Sequence, residues 1–429
     1  MTHRLDHPLD NAPAPLCVGF SGGLDSTVLL HWLASSPAVR KAGLCALHVH
    51  HGLQAGADDW AAHCQHVADG LGIPLTVVHV SVKPDGRGTE AAARDARRAA
   101  FAAHLLPGHW LALSHHRDDQ AETFLLRALR GSGVDGLAAM REHATLAGHS
   151  LWRPLLDVGR IELEHYAHRH GLDWIEDPSN AGDAFDRNFL RHHVLPLLEQ
   201  RWPGAADRLA LSAARCADDA DQLQAIDQAQ LTTLRAGPDA LSIPGLLELT
   251  PVARARALRA WLQSAKAPPL PGHLHAVLDA DVLGCPADRA AHLQWAGHWQ
   301  LRRWRQTLHL LPPQMAVDPH WQAYWDGRRP LPLPDGSQLI LDNADSFNAP
   351  LRVALRQGGE RIRLPGRSHD HALKDCLQQA GIPPWQRKQL PLLWHGDVLL
   401  AAGDAVLADG FALPPVPPGA RLVHTRRRR

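Results

Sequence analysis

Three groups of residues carry chemistry by type and spacing. The first is Ser21, Gly22, Gly23, Leu24, Asp25 and Ser26, written SGGLDS. Paired glycines let a backbone take positive φ and approach a ligand closely, while two hydroxyls and the amides of a following helix offer donors to an anion. That is a phosphate cradle. The second group is His115, His116, Asp118, Asp119 and Glu122 in SHHRDDQAET. Asp119 and Glu122 have the spacing of a capping box, yet converging at the end of a parallel strand they also suit a ligand site. The third is arginine: Arg94, four residues after Glu90, and Arg187 with Arg191 in RNFLR. Each pair shares one side of a helix, either as a surface ion-pairing or solvated face or as donors aimed at phosphate.

Other patterns overlap these groups. GxxxxGK[ST] is absent from the chain, so an ordinary P-loop lysine is missing. GFSGG matches the GxSxG nucleophile elbow with Ser21 as nucleophile, but that elbow follows several strands, and about one fits upstream here. GSGVDG at 131–136 matches GxGxxG but follows a helical run instead of a strand, which speaks against a dinucleotide fold. His48, His50 and His51 sit at a strand end, where lining a pocket is the plainer reading than binding metal.

The elements that must position these groups alternate. Residues 16–20 read as a buried strand, SGGLDS as the turn, and 24–33 as a helix packed on one face. Residues 43–53, 73–82, 109–116 and 152–156 read as further strands, with helices at 58–71, 88–105 and from 117 onward, and with Asp157 capping a later helix. Strands alternating with helices imply a parallel sheet covered on both faces, so the fold class is α/β and Rossmann-like.

At 429 residues the chain is long enough for several domains. Charge balances at 44 Lys/Arg against 44 Asp/Glu, but residues 351–429 hold thirteen basic and six acidic residues, a net of +7. A basic end suits nucleic acid, although the terminal Arg426 to Arg429 would serve equally as a solubilising tail. Six scattered cysteines without a CxxC pair point to a reducing cytoplasm and away from structural zinc. No run has the length of a membrane span, the start lacks a signal-peptide core, and no oligomeric state is readable.

Residues 205–235 and 246–265 read as helices, the latter offering Arg254, Arg256 and Arg259 to RNA or to water. In 293–311 tryptophan and arginine interleave, which tempts a base-stacking reading; the alternation also fits a hairpin turning at Gly297, the reading preferred here.

SGGLDS resembles the signature of the PP-loop ATP pyrophosphatases. Together with HVHHGL, ExxAR, SHHRDDQAET, RxLRGSGxxGL, RPLL, EDPSN and RNFLR, and with GGER and IPPW near the C-terminus, it makes the chain similar to the tRNA(Ile)-lysidine synthetases. Arg98 stands where those relatives usually carry tyrosine. The resemblance implies a PP-loop catalytic domain over 1–204, a mainly helical tRNA-binding domain over 205–349, and a small mixed α/β tRNA-recognition domain over 350–429. It implies ATP and Mg²⁺ as cofactors, and the CAU-anticodon isoleucine tRNA and free L-lysine as partners. The wobble cytidine would be adenylated and then attacked by lysine, releasing AMP and pyrophosphate and moving the codon read from AUG to AUA. Asp119 and Glu122 would handle the lysine amine, Asp25 the metal, and Arg94 and Arg187 the phosphates. A tRNA thiolase is the nearest rival, followed by an amide-forming synthetase and a non-enzymatic RNA-binding module.

Overall fold

The computed structural model describes residues 4–7, 9, 15–52, 56–82, 89–177, 182, 183, 185–286, 289, 291–313, 317–412 and 414–425, without the side chains of 89–91 and 412. It divides into two units, residues 1–225 and 226–429.

In the first unit β1 (Leu16–Gly19) leads into α1 (Leu24–Ala34), which is followed by α2 (Pro37–Ala42), β2 (Leu44–His50), α3 (Ala57–Leu71) and β3 (Leu75–His79). Next come α4 (Thr89–His104), β4 (Trp110–Ala112), α5 (Arg117–Leu129), α6 (Val134–Leu137), β5 (His143–Leu146), β6 (His149–Trp152) and α7 (Arg160–Arg169). Short α8 (Asp186–Phe189) and α9 (Leu195–Arg201) precede α10 (Ala205–Leu234), which runs past the division at 225.

The six strands order as β3-β2-β1-β4-β6-β5, parallel except for β5 against β6. β1 is apolar toward both faces, as a strand inside a covered parallel sheet must be. Leu16, Val18 and Phe20 join one core with α1 and α7 residues such as Leu29, Leu33 and Leu163, while Cys17 joins another with Phe101 and Leu105 of the α4 side. Chain order runs outward from β1 through β2 to β3, then returns to β4 on β1's other side. The gap between β1 and β4 is therefore the topological switch point, where open α/β sheets leave a crevice at the strands' C-terminal ends. SGGLDS leaves β1 there, and SHHRDD leaves β4.

Two local expectations give way. The strand expected at 152–156 ends at Trp152 as one arm of the β5–β6 hairpin, which sequence reading missed because 143–151 carries too few apolar residues to show a period. Asp157 does not cap α7: it pairs with Arg4 at 3.0 Å, and Gly159 occupies the cap with its N–H donating to Glu162.

The second unit opens with β7 (Arg235–Gly237), β8 (Ala240–Ser242), α11 (Ile243–Glu248), α12 (Pro251–Ser264) and α13 (Gly272–Val277), and continues with β9 (His292–Trp295), β10 (Trp299–Trp304) and β11 (Thr307–Leu311). The hairpin expected at Gly297 is present, but within a five-stranded antiparallel sheet, β7-β8-β11-β10-β9, packed on the helices around Trp261. Arg303, in the tryptophan-rich run, turns inward and donates to the carbonyls of Val282 and Leu283.

The rest comprises β12 (Gln322–Trp325), β13 (Leu331–Pro332), β14 (Gln338–Asp342), β15 (Leu351–Leu355), β16 (Arg361–Ile362), β17 (His371–Ala372), α14 (Leu373–Gln379), α15 (Pro384–Arg387), β18 (Pro391–His395), β19 (Val398–Ala402), β20 (Val406–Leu407) and β21 (Arg421–Thr425). Its main sheet is β12-β15-β18-β19-β20. One face packs Trp325, Val353 and Leu393 with Leu339 and Leu422, and the other packs Leu392 and Ala402 under α14. Fold class stands as expected: a mostly parallel α/β sheet, a helix-rich middle and antiparallel sheets toward the C-terminus.

Candidate active site at the sheet switch point

The cradle is shaped by its own six residues. Gly22 takes φ +83°, and a Cβ there would lie 2.8 Å from the Cys64 sulfur, so both conformation and space call for glycine. The Ser26 hydroxyl accepts the Ser21 N–H at 3.2 Å, lies 3.0 Å from the Ser21 hydroxyl and donates to the Gly23 carbonyl. Gly23 is the N-cap of α1 and supplies no side chain to its first amides. Those donors face whatever anion occupies the turn. From outside, the Ile175 N–H donates to the Gly22 carbonyl, and His48 lies 2.9 Å from the Phe20 carbonyl.

Asp25 follows in the first turn of α1. Its Oδ1 is buried without a hydrogen-bond partner, although the Arg160 guanidinium stands 3.9 Å away and His116 Nε2 is 3.7 Å from Oδ2. Burial pushes its carboxyl above the usual range; His116 opposes that shift, and the Asp119 charge adds to it.

Beside it stands a second group assembled from segments far apart in sequence. Asp119, at the third position of α5, accepts the His116 N–H through Oδ2, so the N-cap is His116 and the capping box expected of Asp119 with Glu122 does not form. Its Oδ1 takes Arg187 at 3.0 Å and Arg191 at 3.4 Å. Glu122, one turn on and without solvent exposure, receives Arg187 Nε at 2.5 Å and Arg191 Nε at 2.7 Å. Arg187 lies on α8 and Arg191 in the five-residue π-helical turn that follows it, Leu190–Val194, a departure from α geometry that recurs at functional sites. Burial alone would raise Asp119, but His116 and Arg187 outweigh it and hold the carboxyl at about 2. Burial likewise lowers His116, yet Asp119, Asp118 and Asp25 together carry it above its ordinary value. His115 goes the other way, pushed down to about 4 by burial, with its Nδ1 unpartnered. Asp118 turns aside to accept the Arg160 N–H at the start of α7.

Buried polar atoms without partners are rare in folded proteins and mark places where a ligand belongs. Here Asp25, His115, His51 and His63 each have one, and His116 has two. Among the described residues, no set of three or more His, Cys, Asp or Glu is arranged to hold a metal. A cation at Asp25 would therefore draw its other oxygens from a phosphate ligand and water.

The structure thus brings Asp25, Asp119, Glu122 and Arg187 together, with residues 21–26 on the same edge. Arg94 is separate: it is exposed on α4, and no hydrogen bond or ion pair among the described residues ties it to these carboxylates. The side chain of Glu90, residues 178–180 of EDPSN and the tail 426–429 lie outside the described residues. Sequence reading missed Arg160. Its only signal was a position at the head of the helix after RPLL, too common to single it out.

Comparison with known proteins follows this geometry. Residues 1–198 match a PP-loop domain, 241–309 a TilS substrate binding domain and 351–423 a TilS substrate C-terminal domain. A tRNA(Ile)-lysidine synthase of Xanthomonas axonopodis pv. citri is 54% identical over 92% of this chain and 90% of its own length. The corresponding protein of Xylella fastidiosa (strain Temecula1) is 53% identical over 92% of this chain and 91% of its own. Among solved structures, a U34-tRNA thiolase from Methanococcus maripaludis with an iron–sulfur cluster covers 48% of this chain and 73% of its own, at 18% identity and a TM-score of 0.38. A likeness of that extent carries no argument about activity.

Proposed function

The chain belongs to the tRNA(Ile)-lysidine synthase family, and from that premise we propose that it joins the ε-amine of free L-lysine to C2 of the wobble cytidine in the CAU-anticodon isoleucine tRNA, in the cytoplasm. The cytosine O2 attacks the α-phosphorus of ATP and pyrophosphate leaves. The lysine nitrogen then bonds to C2, and the C2–O2 bond breaks to release AMP. The codon read changes from AUG to AUA.

The observation that carries this reading is the juxtaposition at one switch point of an uncapped glycine turn and a buried carboxylate–arginine group. The turn's free amides and the Ser21 and Ser26 hydroxyls suit the phosphates of ATP. Asp25, with its orphaned carboxylate oxygen, is the residue that would hold Mg²⁺, and the ion would neutralise charge on the departing pyrophosphate. Lysine arrives protonated, its amine having an ordinary pKa of about 10.4. Asp119 is suited to binding that ammonium. Its carboxyl, held at about 2, is too weak a base to take the proton efficiently. Glu122 orients Arg187 and Arg191 beside it, so Arg187 reaches phosphate only by giving up a carboxylate partner. Arg94, which no ion pair among the described residues ties to these carboxylates, has a freer guanidinium for that task.

The initiator and elongator methionine tRNAs carry the same CAU anticodon, so the enzyme must read its substrate elsewhere, through shape, phosphates and unpaired bases. Residues 205–349 and 350–429 are assigned that task. The test is incubation with ATP, labelled lysine and transcripts of the isoleucine and methionine tRNAs. Lysine is expected in the isoleucine transcript alone; no transfer at any Mg²⁺ concentration would overturn the assignment.

A further inference from the structure

The C-terminal sheet is covered unevenly. Over β18, β19 and β20 its outer face is packed by α14 through Leu373, Cys376 and Leu377. Over β12 and β15 the same face carries polar and aromatic side chains instead of a packed core. Register places Tyr324 of β12 opposite Arg352 of β15, and Arg352 opposite Trp394 of β18, so the three form one row across adjacent strands. Tyr324 is 75% exposed, an unusual state for a ring of that size. The Arg352 guanidinium lies over the Trp394 ring, 5.2 Å from its centroid. Beside this row a groove of about 610 Å³ is lined by Trp321, Gln322, Arg352, Trp394 and the Gly358–Gly359 turn.

Among the described residues the groove's cation lacks a counter-charge. Glu360 lines the groove, but its carboxylate is taken by Arg356 at 3.0 Å and by the amides of Gln357 and Gly358. Arg352 has no carboxylate partner among the described residues. Flat rings plus an uncompensated guanidinium match a base plane joined to a phosphate. An apolar peptide would ask for aliphatic pockets, and here Leu355 and Leu392 on the lining are themselves buried. Before the terminal arginines, residues 351–425 hold nine basic and six acidic residues, a balance that favours a polyanion further.

We propose that this open face is a stacking platform for unpaired nucleotides of the substrate tRNA other than the anticodon, with Tyr324 stacking a base and Arg352, resting on Trp394, serving the adjoining phosphate. The proposal rests on the reading of an RNA substrate given above.

The experiment uses the full chain and a fluorescein-labelled single-stranded hexaribonucleotide, with an RNA duplex and a proline-rich peptide as competitors. The single strand is expected to bind and to be displaced poorly by either competitor. Tyr324→Ala should weaken it about 5- to 150-fold, the value of one base stack, and Tyr324→Phe should retain it. Arg352→Gln should weaken it and reduce the salt dependence by about one phosphate contact. ATP affinity should not change in any of these variants. Failure of the wild type to bind, binding by both variants within twofold of wild type, equal binding of duplex, or displacement by the peptide would each overturn the platform. Lysine transfer by the same preparations separates the two claims. Transfer with unaffected variants removes the platform alone, while platform-dependent binding without transfer removes only the catalytic reading.

Discussion

The switch point and the open sheet face handle positive charge in opposite ways. At the switch point Arg187 and Arg191 are committed to Glu122 and Asp119, inside a group whose central carboxylate meets no solvent. On the open sheet face Arg352 rests on an indole and has no carboxylate among the described residues. A buried, paired guanidinium moves only when something replaces its partner, because leaving the carboxylate uncompensated costs more than the pair gains. An unpaired one is available to phosphate at once. Arginine in a motif therefore says little about phosphate until its partners are known, and Arg187, expected on the phosphates, illustrates the point.

The sharpest way to break this contrast is to remove one partner on each side. Glu122→Ala should cost about 3 kcal/mol of folding stability by denaturant titration, toward the lower end for a broken buried pair because both arginines touch solvent. Arg352→Ala should cost no more than about 1 kcal/mol, the worth of an exposed cation–π contact. Equal losses would erase the distinction. Next in size is Gly22→Ala, expected to cost about 1–2 kcal/mol from the left-handed backbone alone and to weaken ATP binding. Adding Cys64→Ala should relieve the collision with the sulfur but not the backbone cost; full rescue would mean that the turn tolerates a side chain.

The smallest effect is in pH. His115 is pushed down to about 4 from 6.5, so across that window the unfolded chain takes up a proton that the folded chain refuses. Stability should fall as pH drops from 6.5 to 4, and Asp119 adds a further loss below its unfolded value, toward 2. His116, raised, works in the other direction: its contribution is present below 6.5 and is lost as pH rises through its folded value. His115→Gln should flatten the decline between 6.5 and 4 in a series of urea midpoints; an unchanged slope would place the proton elsewhere.

How much of this was legible in the sequence follows from how local each feature is. The cradle could be read because its glycines, hydroxyls and helix start lie within residues 21–26 and shape one another. The parallel sheet could be read from strands alternating with helices. The partners of Asp119 and Glu122 could not, since Arg187 lies 65 residues beyond Glu122 and Arg191, in the π-helical turn, lies 69 beyond it. No spacing rule places a π turn. The Tyr324–Arg352–Trp394 row was equally hidden, because three strands separated by long connections set its register.

The central claim is that the cradle activates and the carboxylate group receives lysine. Asp119→Asn separates the two roles, provided that tRNA-dependent pyrophosphate release without lysine is measured beside lysine incorporation. The account predicts that the lysine KM rises at least about tenfold while pyrophosphate release stays close to wild type, as expected when one charge-assisted contact to the ammonium is lost. An unchanged lysine KM, or an equal loss of both steps, would contradict it.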